Sequence, residues 1–361
     1  MTEEEELKAI RERIDRIDEQ IQELINQRAE AARQVAEIKQ TNGGKPLYYR
    51  PEREAQVLRR VKARNRGPLD AEEMARIFRE IMSACLALEQ PLAIAFLGPE
   101  GTFTQAAALK HFGHSVNTVP LGSIPDVFQE VEGGGCHYGV VPVENSSEGV
   151  ISHTLDMFLQ SPLKICGEVT LRIRHNLLAA GGSLEGVERV YSHQQSLAQC
   201  RGWLDRHLPH AERIAVGSNA EAAALAKERP GSAAIASETA AEIYGLEMLA
   251  ANIEDEPGNT TRFLIIGRQE VPPSGDDKTS LLASTRNVAG GLLRLLQPLA
   301  RHGVSMTRIE SRPSRRGTWD YVFFIDVLGH REEEAVKAAL ADLEAAASVY
   351  KVLGSYPRAV L

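Results

Sequence analysis

Cysteine is scarce and scattered: Cys85, Cys136, Cys166 and Cys200 in 361 residues, with no CxxC pair and no histidine cluster beside them. That spacing supports neither a disulfide framework nor a zinc site, so reduced thiols are expected. Long apolar runs are lacking too, since nothing approaches the roughly 18 apolar residues of a membrane span. The N-terminus, MTEEEELK, is acidic where a signal peptide is basic and then apolar, and a cytoplasmic protein is expected. Positive charge is also short: 41 Lys and Arg against 49 Asp and Glu leave a net charge of -8. There is therefore no electrostatic case for nucleic acid or an anionic membrane surface, and a small anionic substrate would need locally placed arginines.

What is present is length and hydrophobic content. At 43% hydrophobic, the 361 residues can build packed cores. A prior of roughly 100 to 200 residues per domain suggests two or three of them. The stretch GVVPVENSSEG, Gly139 to Gly149, stands out within them. Val140, Val141 and Val143 read as a buried strand, and Pro142 argues that the strand lies at an edge or ends at once. Glu144, Asn145, Ser146 and Ser147 then fall at a strand end, where open α/β sheets place ligands. A polar turn with a helix N-cap at Ser146 or Ser147 accounts for the same residues.

Residues 1–90 carry a seven-residue apolar period, with Leu7, Ile14, Ile21 and Val35 in one column and Ile10, Ile17, Leu24, Ala31 and Ile38 in the other. This spacing predicts one long helix with a coiled-coil-like seam. Arg28 interrupts the first column, and Arg11 and Lys39 lie beside it. Arg28 is either a register-fixing polar residue or a ligand contact, and the other two either a solvated flank or part of the same site. At 1.5 Å per residue, Arg11 and Arg28 are about 26 Å apart. One small ligand cannot span them, so a shared site requires Arg11 from a second copy of the chain. Gly43, Gly44 and Pro46 are expected to end this helix, Pro51 to start a second, and Asp70 to cap a third with an apolar face of Met74, Ile77, Phe78, Ile81, Cys85 and Leu88.

Three helices with inward arginines, Lys39 and Glu89 resemble the all-helical chorismate mutase family over this whole segment. The resemblance implies rearrangement of chorismate to prephenate, without a nucleophile, by holding the compact conformer and stabilising charge on the breaking ether oxygen. It gives Arg11 of a partner chain and Arg28 to the carboxylates, Lys39 to the ether oxygen, and Arg53 with Glu54 to the ring and its hydroxyl. Arg50, Cys85 and Glu89 depart from common family residues. A glutamate donates to an ether oxygen only when protonated, so mutase activity is expected to fall with rising pH unless burial lifts the Glu89 pKa.

From residue 91 to 270 short strand runs alternate with helical ones, which predicts α/β structure. LAIAFLGPEGTFT reads as strand, turn and a helix capped at Thr102, with Thr102 and Thr104 placed to meet an anion. GPEG lacks the spacing and lysine of a nucleotide loop. YSHQQSLAQC offers Ser192 and Gln199, and NTTRF offers Thr260, Thr261 and Arg262 before another apolar run. Capping explains Ser192 and a surface ion pair explains Arg262 equally well. FLGPEGTFT, VPVENSSEG, YSHQQSLAQC and NTTRF, in that order, resemble prephenate dehydratase. The resemblance implies two α/β subdomains like those of a periplasmic solute-binding protein, with prephenate in the cleft losing hydroxyl and carboxylate together to give phenylpyruvate, a reaction driven by aromatisation that is expected to need no metal or cofactor. Thr261 is expected to serve the departing hydroxyl, with Glu144 the competing acid. Arg262 is a carboxylate anchor or an organiser of the cleft, and Asn145, Ser146, Ser192, Gln199 and Thr104 orient the substrate.

Val271 to Lys278, VPPSGDDK, reads as a linker. Residues 279–361 then follow a βαββαβ order, a ferredoxin-like α+β unit of about 80 residues. With NVAGGLLRLL and ESRP, this order resembles the ACT regulatory domain. It implies a phenylalanine site at Gly290, Gly291, Leu292, Glu310, Ser311 and Arg312, while a purely structural dimerisation module fits the same pattern. Together the three resemblances imply a multidomain, bifunctional, feedback-inhibited enzyme that is at least a homodimer. A non-catalytic aromatic-metabolite sensor and an arogenate dehydratase are the alternatives.

Overall fold

The computed structural model describes residues 2–41, 49–147, 149–286, 288–313 and 321–361. Gly43, Gly44 and Pro46 lie outside them. The N-terminal unit is α1 (Glu3–Thr41), α2 (Pro51–Arg64) and α3 (Ala71–Glu89). Proline in the first turn starts α2, and Asp70 caps α3 by accepting from the Glu73 amide at 2.7 Å. The heptad residues of α1 from Leu7 to Leu24, with Val35 and Ile38, are all exposed within one chain. The face expected to bury α3 is only partly the buried one. Of its residues Cys85 is inside, Met74, Phe78 and Ile81 are half-buried, and Ile77 and Leu88 are exposed, whereas Ala75, Arg79 and Ser83 beside it are inside. The reason is the neighbour: Arg79 donates to the Lys110 carbonyl at 2.7 Å, so α3 turns its small and polar side onto the next unit.

That unit begins with β1 (Ala93–Leu97), α4 (Phe103–Phe112), β2 (Asn117–Leu121), α5 (Ile124–Gly133), β3 (Tyr138–Asn145), β4 (Gly149–Val150), α6 (Ser152–Phe158) and β5 (Lys164–Arg172). The chain then crosses to a second sheet built from β6 (Asn176–Ala179), β7 (Arg189–His193), α7 (Gln194–Gln199), α8 (Arg201–His207), β8 (Glu212–Val216), α9 (Asn219–Glu228), β9 (Ser232–Ala236), α10 (Glu238–Tyr244) and β10 (Glu247–Ala250). It returns through β11 (Thr260–Gly267) to the first sheet, whose order is β2-β1-β3-β11-β5; the second runs β10-β6-β9-β7-β8. The helix expected over Ser196 to His207 breaks at Cys200, because Asp255 caps a new start by accepting from the amides of Gly202 and Trp203 at 2.7 and 2.8 Å.

Strand β3 is central, paired with β1 on one side and β11 on the other, so Pro142 does not mark an edge. It marks a bulge. Arg262 pairs with Glu144 but Phe263 with Pro142, leaving Val143 as the extra residue. Ser146 and Ser147 begin no helix; the Ser147 amide donates to Asn145 Oδ1 at 3.0 Å, closing a tight polar turn.

The C-terminal unit is β12 (Asp277–Ser284), α11 (Gly291–Arg301), β13 (Met306–Pro313), β14 (Tyr321–Leu328), α12 (Glu334–Ala346) and β15 (Val349–Pro357), with sheet order β13-β14-β12-β15. The period of two divides its strands between two cores. Leu281, Ala283, Ile325 and Val327 pack under α11 and α12, while Leu282, Phe324, Leu353 and Tyr356 join Val141, Val143 and Leu264 of the first sheet. Gly354 permits this docking, since a side chain there would lie 2.2 Å from the Ile165 carbonyl oxygen. The segment expected to be a linker is also tied down. Asp277 accepts from Ser274, and Arg59 of α2 donates to Ser274 Oγ at 3.0 Å and to the Asp276 carbonyl at 2.6 Å.

Candidate active sites

In the helical unit the structure brings Arg28, Lys39 and Glu89 together. Lys39 Nζ lies 3.9 Å from Glu89 Oε2, a buried oxygen with no hydrogen-bond partner among the described residues. Burial raises the Glu89 pKa, and Lys39 and Arg28 oppose that rise. Arg11 is exposed on the N-terminal part of α1, and Arg53 is exposed in the first turn of α2. Glu54 is drawn elsewhere: it pairs with the buried Arg79 at 3.3 Å, on the side facing the second unit. Burial raises its pKa as well, against Arg79.

Between the two sheets of the middle unit lies a cleft of about 400 Å³. Thr102, Thr104, Asn145, Gln199 and Thr261 line it, as expected, together with His175, Asn219 and Asn259. Its floor is where the chain crosses between sheets, at residues 173–175 and 259–261. Asn145 Nδ2 donates to Thr261 Oγ1 at 2.8 Å and to Asn259 Oδ1 at 2.9 Å. Asn259 Nδ2 donates to Gln199 Oε1 at 3.3 Å, and His175 Nε2 lies 2.7 Å from that same oxygen. Thr104, His175, Asn259 and Thr261 are buried. A pocket of this volume with convergent polar groups is a form a small-molecule site takes, and this one is lined mostly by polar residues.

The prephenate dehydratase family model matches residues 94–271, the chorismate mutase type II model residues 10–90 and the ACT domain model residues 279–345. Proteins named bifunctional chorismate mutase/prephenate dehydratase from Stutzerimonas stutzeri and Pseudomonas aeruginosa are each 57% identical over 365 residues, covering 100% of this chain and of theirs. The chain belongs to the bifunctional chorismate mutase/prephenate dehydratase family. A prephenate dehydratase from Arthrobacter aurescens, solved in complex with L-Phe, is 34% identical, with a TM-score of 0.68 over 74% of this chain and 90% of its own.

Within the dehydratase segment four expected site residues do not line the cleft. Arg262 points to the opposite face of β11, into the ACT sheet, where it meets Glu168 at 2.8 Å, Asp326 at 2.6 Å and the Tyr356 hydroxyl at 3.0 Å. Strand alternation compels this, since its neighbour Thr261 faces the cleft. Glu144 faces the same way as Arg262, with Arg308 at 3.2 Å and Arg262 at 4.0 Å. The bulge at Val143 is responsible, because it reverses the alternation and gives Asn145 the cleft side. Ser192 sits beneath the site with its hydroxyl 2.9 Å from the Ile235 carbonyl and 2.9 Å from Asn219 Oδ1, and it is Asn219 that lines the cleft. Ser146 is exposed at the rim and accepts from the Thr260 amide at 2.9 Å.

In the ACT domain Gly290 adopts a left-handed conformation ahead of α11, Gly291 packs against the Arg286 carbonyl, and Leu292 is exposed. Glu310 and Ser311 lie on the edge strand β13. Arg312 is committed to the dehydratase segment, donating to Ser152 Oγ at 2.7 Å and to Asp156 at 3.0 Å. Sequence reading missed His175, Asn219 and Asn259. Asn259 opens the quoted NTTRF and was legible there; His175 follows a strand with no local signal.

Proposed function

We propose that residues 1–90 rearrange chorismate to prephenate, that residues 91–270 convert prephenate to phenylpyruvate, and that residues 279–361 bind phenylalanine as an inhibitor. The cytoplasm is the expected compartment. The observation that carries the dehydratase reading is the Asn145–Thr261 hydrogen bond. Asn145 Oδ1 is occupied by the Ser147 amide, so its Nδ2 must donate and Thr261 Oγ1 must accept. The Thr261 proton is then left to point at the departing hydroxyl, and among the described residues it has no acceptor. Aromatisation drives the loss of water and carbon dioxide, and the protein adds that donor and a sheltered cleft. Incubating the chain with chorismate should yield prephenate and then phenylpyruvate, and added phenylalanine should suppress the second product. Consumption of chorismate without phenylpyruvate would remove the dehydratase reading.

The mutase site takes Arg28 and Lys39 from one chain and Arg11 from another, with Arg53 closing it. Support comes from α1, about 58 Å long, whose apolar columns stand exposed in a single chain and need a second copy to cover them. Leu24→Glu should therefore halve the particle mass in light scattering and abolish mutase activity while dehydratase activity persists. A dimer that survives with full mutase activity would remove the shared site.

Glu89 sets the mutase pH profile. Its raised pKa keeps the carboxyl protonated, and able to donate, to higher pH than an ordinary glutamate. Mutase kcat/KM should hold through the usual carboxylate range and then decline as Glu89 ionises. Glu89→Gln should keep the activity and lose the decline. A wild-type profile that is flat between about pH 5 and 8, matched by the variant, would show that ionisation of Glu89 has no part in catalysis.

A further inference from the structure

The hydrogen bonds on the cleft floor have a direction that can be worked out from one fixed point. A backbone N–H can only donate, so the Ser147 amide makes Asn145 Oδ1 an acceptor. Asn145 Nδ2 then donates to Asn259 Oδ1, which leaves Asn259 Nδ2 to donate to Gln199 Oε1. With Gln199 Oε1 an acceptor, the 2.7 Å contact to His175 requires the proton to sit on His175 Nε2. His175 Nδ1 is buried without a partner among the described residues, which agrees with a neutral ring carrying no proton there. The ring itself is held edge-on to Phe103, its centroid 5.8 Å away.

Gln199 is the member of this row whose direction matters most to a ligand. It lines the cleft with its oxygen committed to two donors, so the nitrogen end of its amide is the end left for the substrate. Among the described residues Gln199 Nε2 makes no hydrogen bond. Were the amide reversed, an oxygen would face a substrate bearing two carboxylates, which repels rather than binds.

We propose that His175 is a positioning residue of the dehydratase site: its Nε2–H holds the Gln199 amide in the orientation that offers N–H, and not C=O, to the anionic substrate. The proposal rests on the dehydratase reading of the cleft. Because His175 acts through Gln199, its loss weakens substrate binding more than it slows the chemical step. A hydrogen bond to a charged group contributes enough for about a 10- to 100-fold effect.

Two near-isosteric variants separate the donor from the rest of the ring. Glutamine places an amide N–H near the Nε2 position, whereas asparagine places one near Nδ1 and leaves Gln199 Oε1 without its donor. His175→Asn should raise KM for prephenate about 10- to 100-fold with kcat changed less than about 3-fold. His175→Gln should restore KM to within about 3-fold of wild type, and Gln199→Ala combined with His175→Asn should be no worse than Gln199→Ala alone. Mutase activity should match wild type in every variant, and thermal unfolding should show each variant folded at the assay temperature. The proposal is overturned if glutamine fails to rescue, if neither variant moves KM, or if the losses of the double variant multiply. Wild-type enzyme that fails to turn over prephenate would instead overturn the dehydratase reading, so the two failures are distinct.

Discussion

Thr261→Ala should lower dehydratase turnover by about 100- to 1,000-fold and leave chorismate rearrangement at its wild-type rate. The size of the effect follows from the work the hydroxyl does. Thr261 is buried at the start of β11 with its oxygen held by Asn145 at 2.8 Å, so in the proposed role its proton would be aimed without reorganisation when the substrate hydroxyl begins to leave. Alanine removes that hydroxyl hydrogen, and it leaves Asn145 Nδ2 with Asn259 alone of these two partners. Mutase activity is spared because Arg28, Lys39 and Glu89 lie on α1 and α3, in a separate unit. Thr261→Ser keeps the hydroxyl and should retain turnover within about 10-fold, the loss reflecting a freer rotamer. Steady-state assays on prephenate and on chorismate check both halves. If Thr261→Ala retains full turnover, the proton comes from another group and Thr261 only shapes the cleft.

Glu144, the competing acid in the sequence, is turned away from the cleft towards Arg308. Read with a strict period of two, VVPVEN places Pro142 and Glu144 on one face and Asn145 on the other. The bulge at Val143 exchanges the last two, sending Glu144 to Arg308 and Asn145 to Thr261. Pro142 was the signal of that irregularity, but a proline in a strand fits an edge and a bulge equally well until the partners are known. The order of units, the long α1 and the ferredoxin-like topology were legible because each rests on local periodicity. What a local pattern cannot carry is a contact between units. The polar face of α3, the pairing of Glu54 with Arg79 and the reach of Arg312 to Asp156 all depend on which neighbour arrives. His175 belongs to the same class, since its meaning comes from Gln199, brought to it across the cleft floor.

Arg262 is where this dependence between units is most concentrated, and its loss should be felt twice. The guanidinium is buried among Glu168, Asp326 and the Tyr356 hydroxyl, with Lys278 on Glu168 at 2.7 Å and Ser280 on Asp326 at 2.5 Å. Burial on its own raises the Asp326 pKa, but Arg262 foremost, with Ser280 and Arg308, brings it below the usual carboxylate value. Arg262→Leu therefore strands a buried carboxylate, a change that typically costs about 3–5 kcal/mol. Thermal unfolding should shift down accordingly. Adding Asp326→Leu removes the stranded charge and should recover most of that stability, because a buried ion pair is worth little more than good apolar packing of the same volume. The second effect should survive the rescue. Arg262 and Thr261 are consecutive residues on opposite faces of one strand, so the ACT sheet is tied to the residue next to the proposed proton donor. In the stabilised double variant dehydratase turnover should persist, while inhibition by phenylalanine should weaken at least about 10-fold, as expected when a coupling of 1–3 kcal/mol is cut. A double variant that recovers stability and keeps full phenylalanine inhibition would show that the signal crosses elsewhere, with the Arg312–Asp156 bridge the next contact to test.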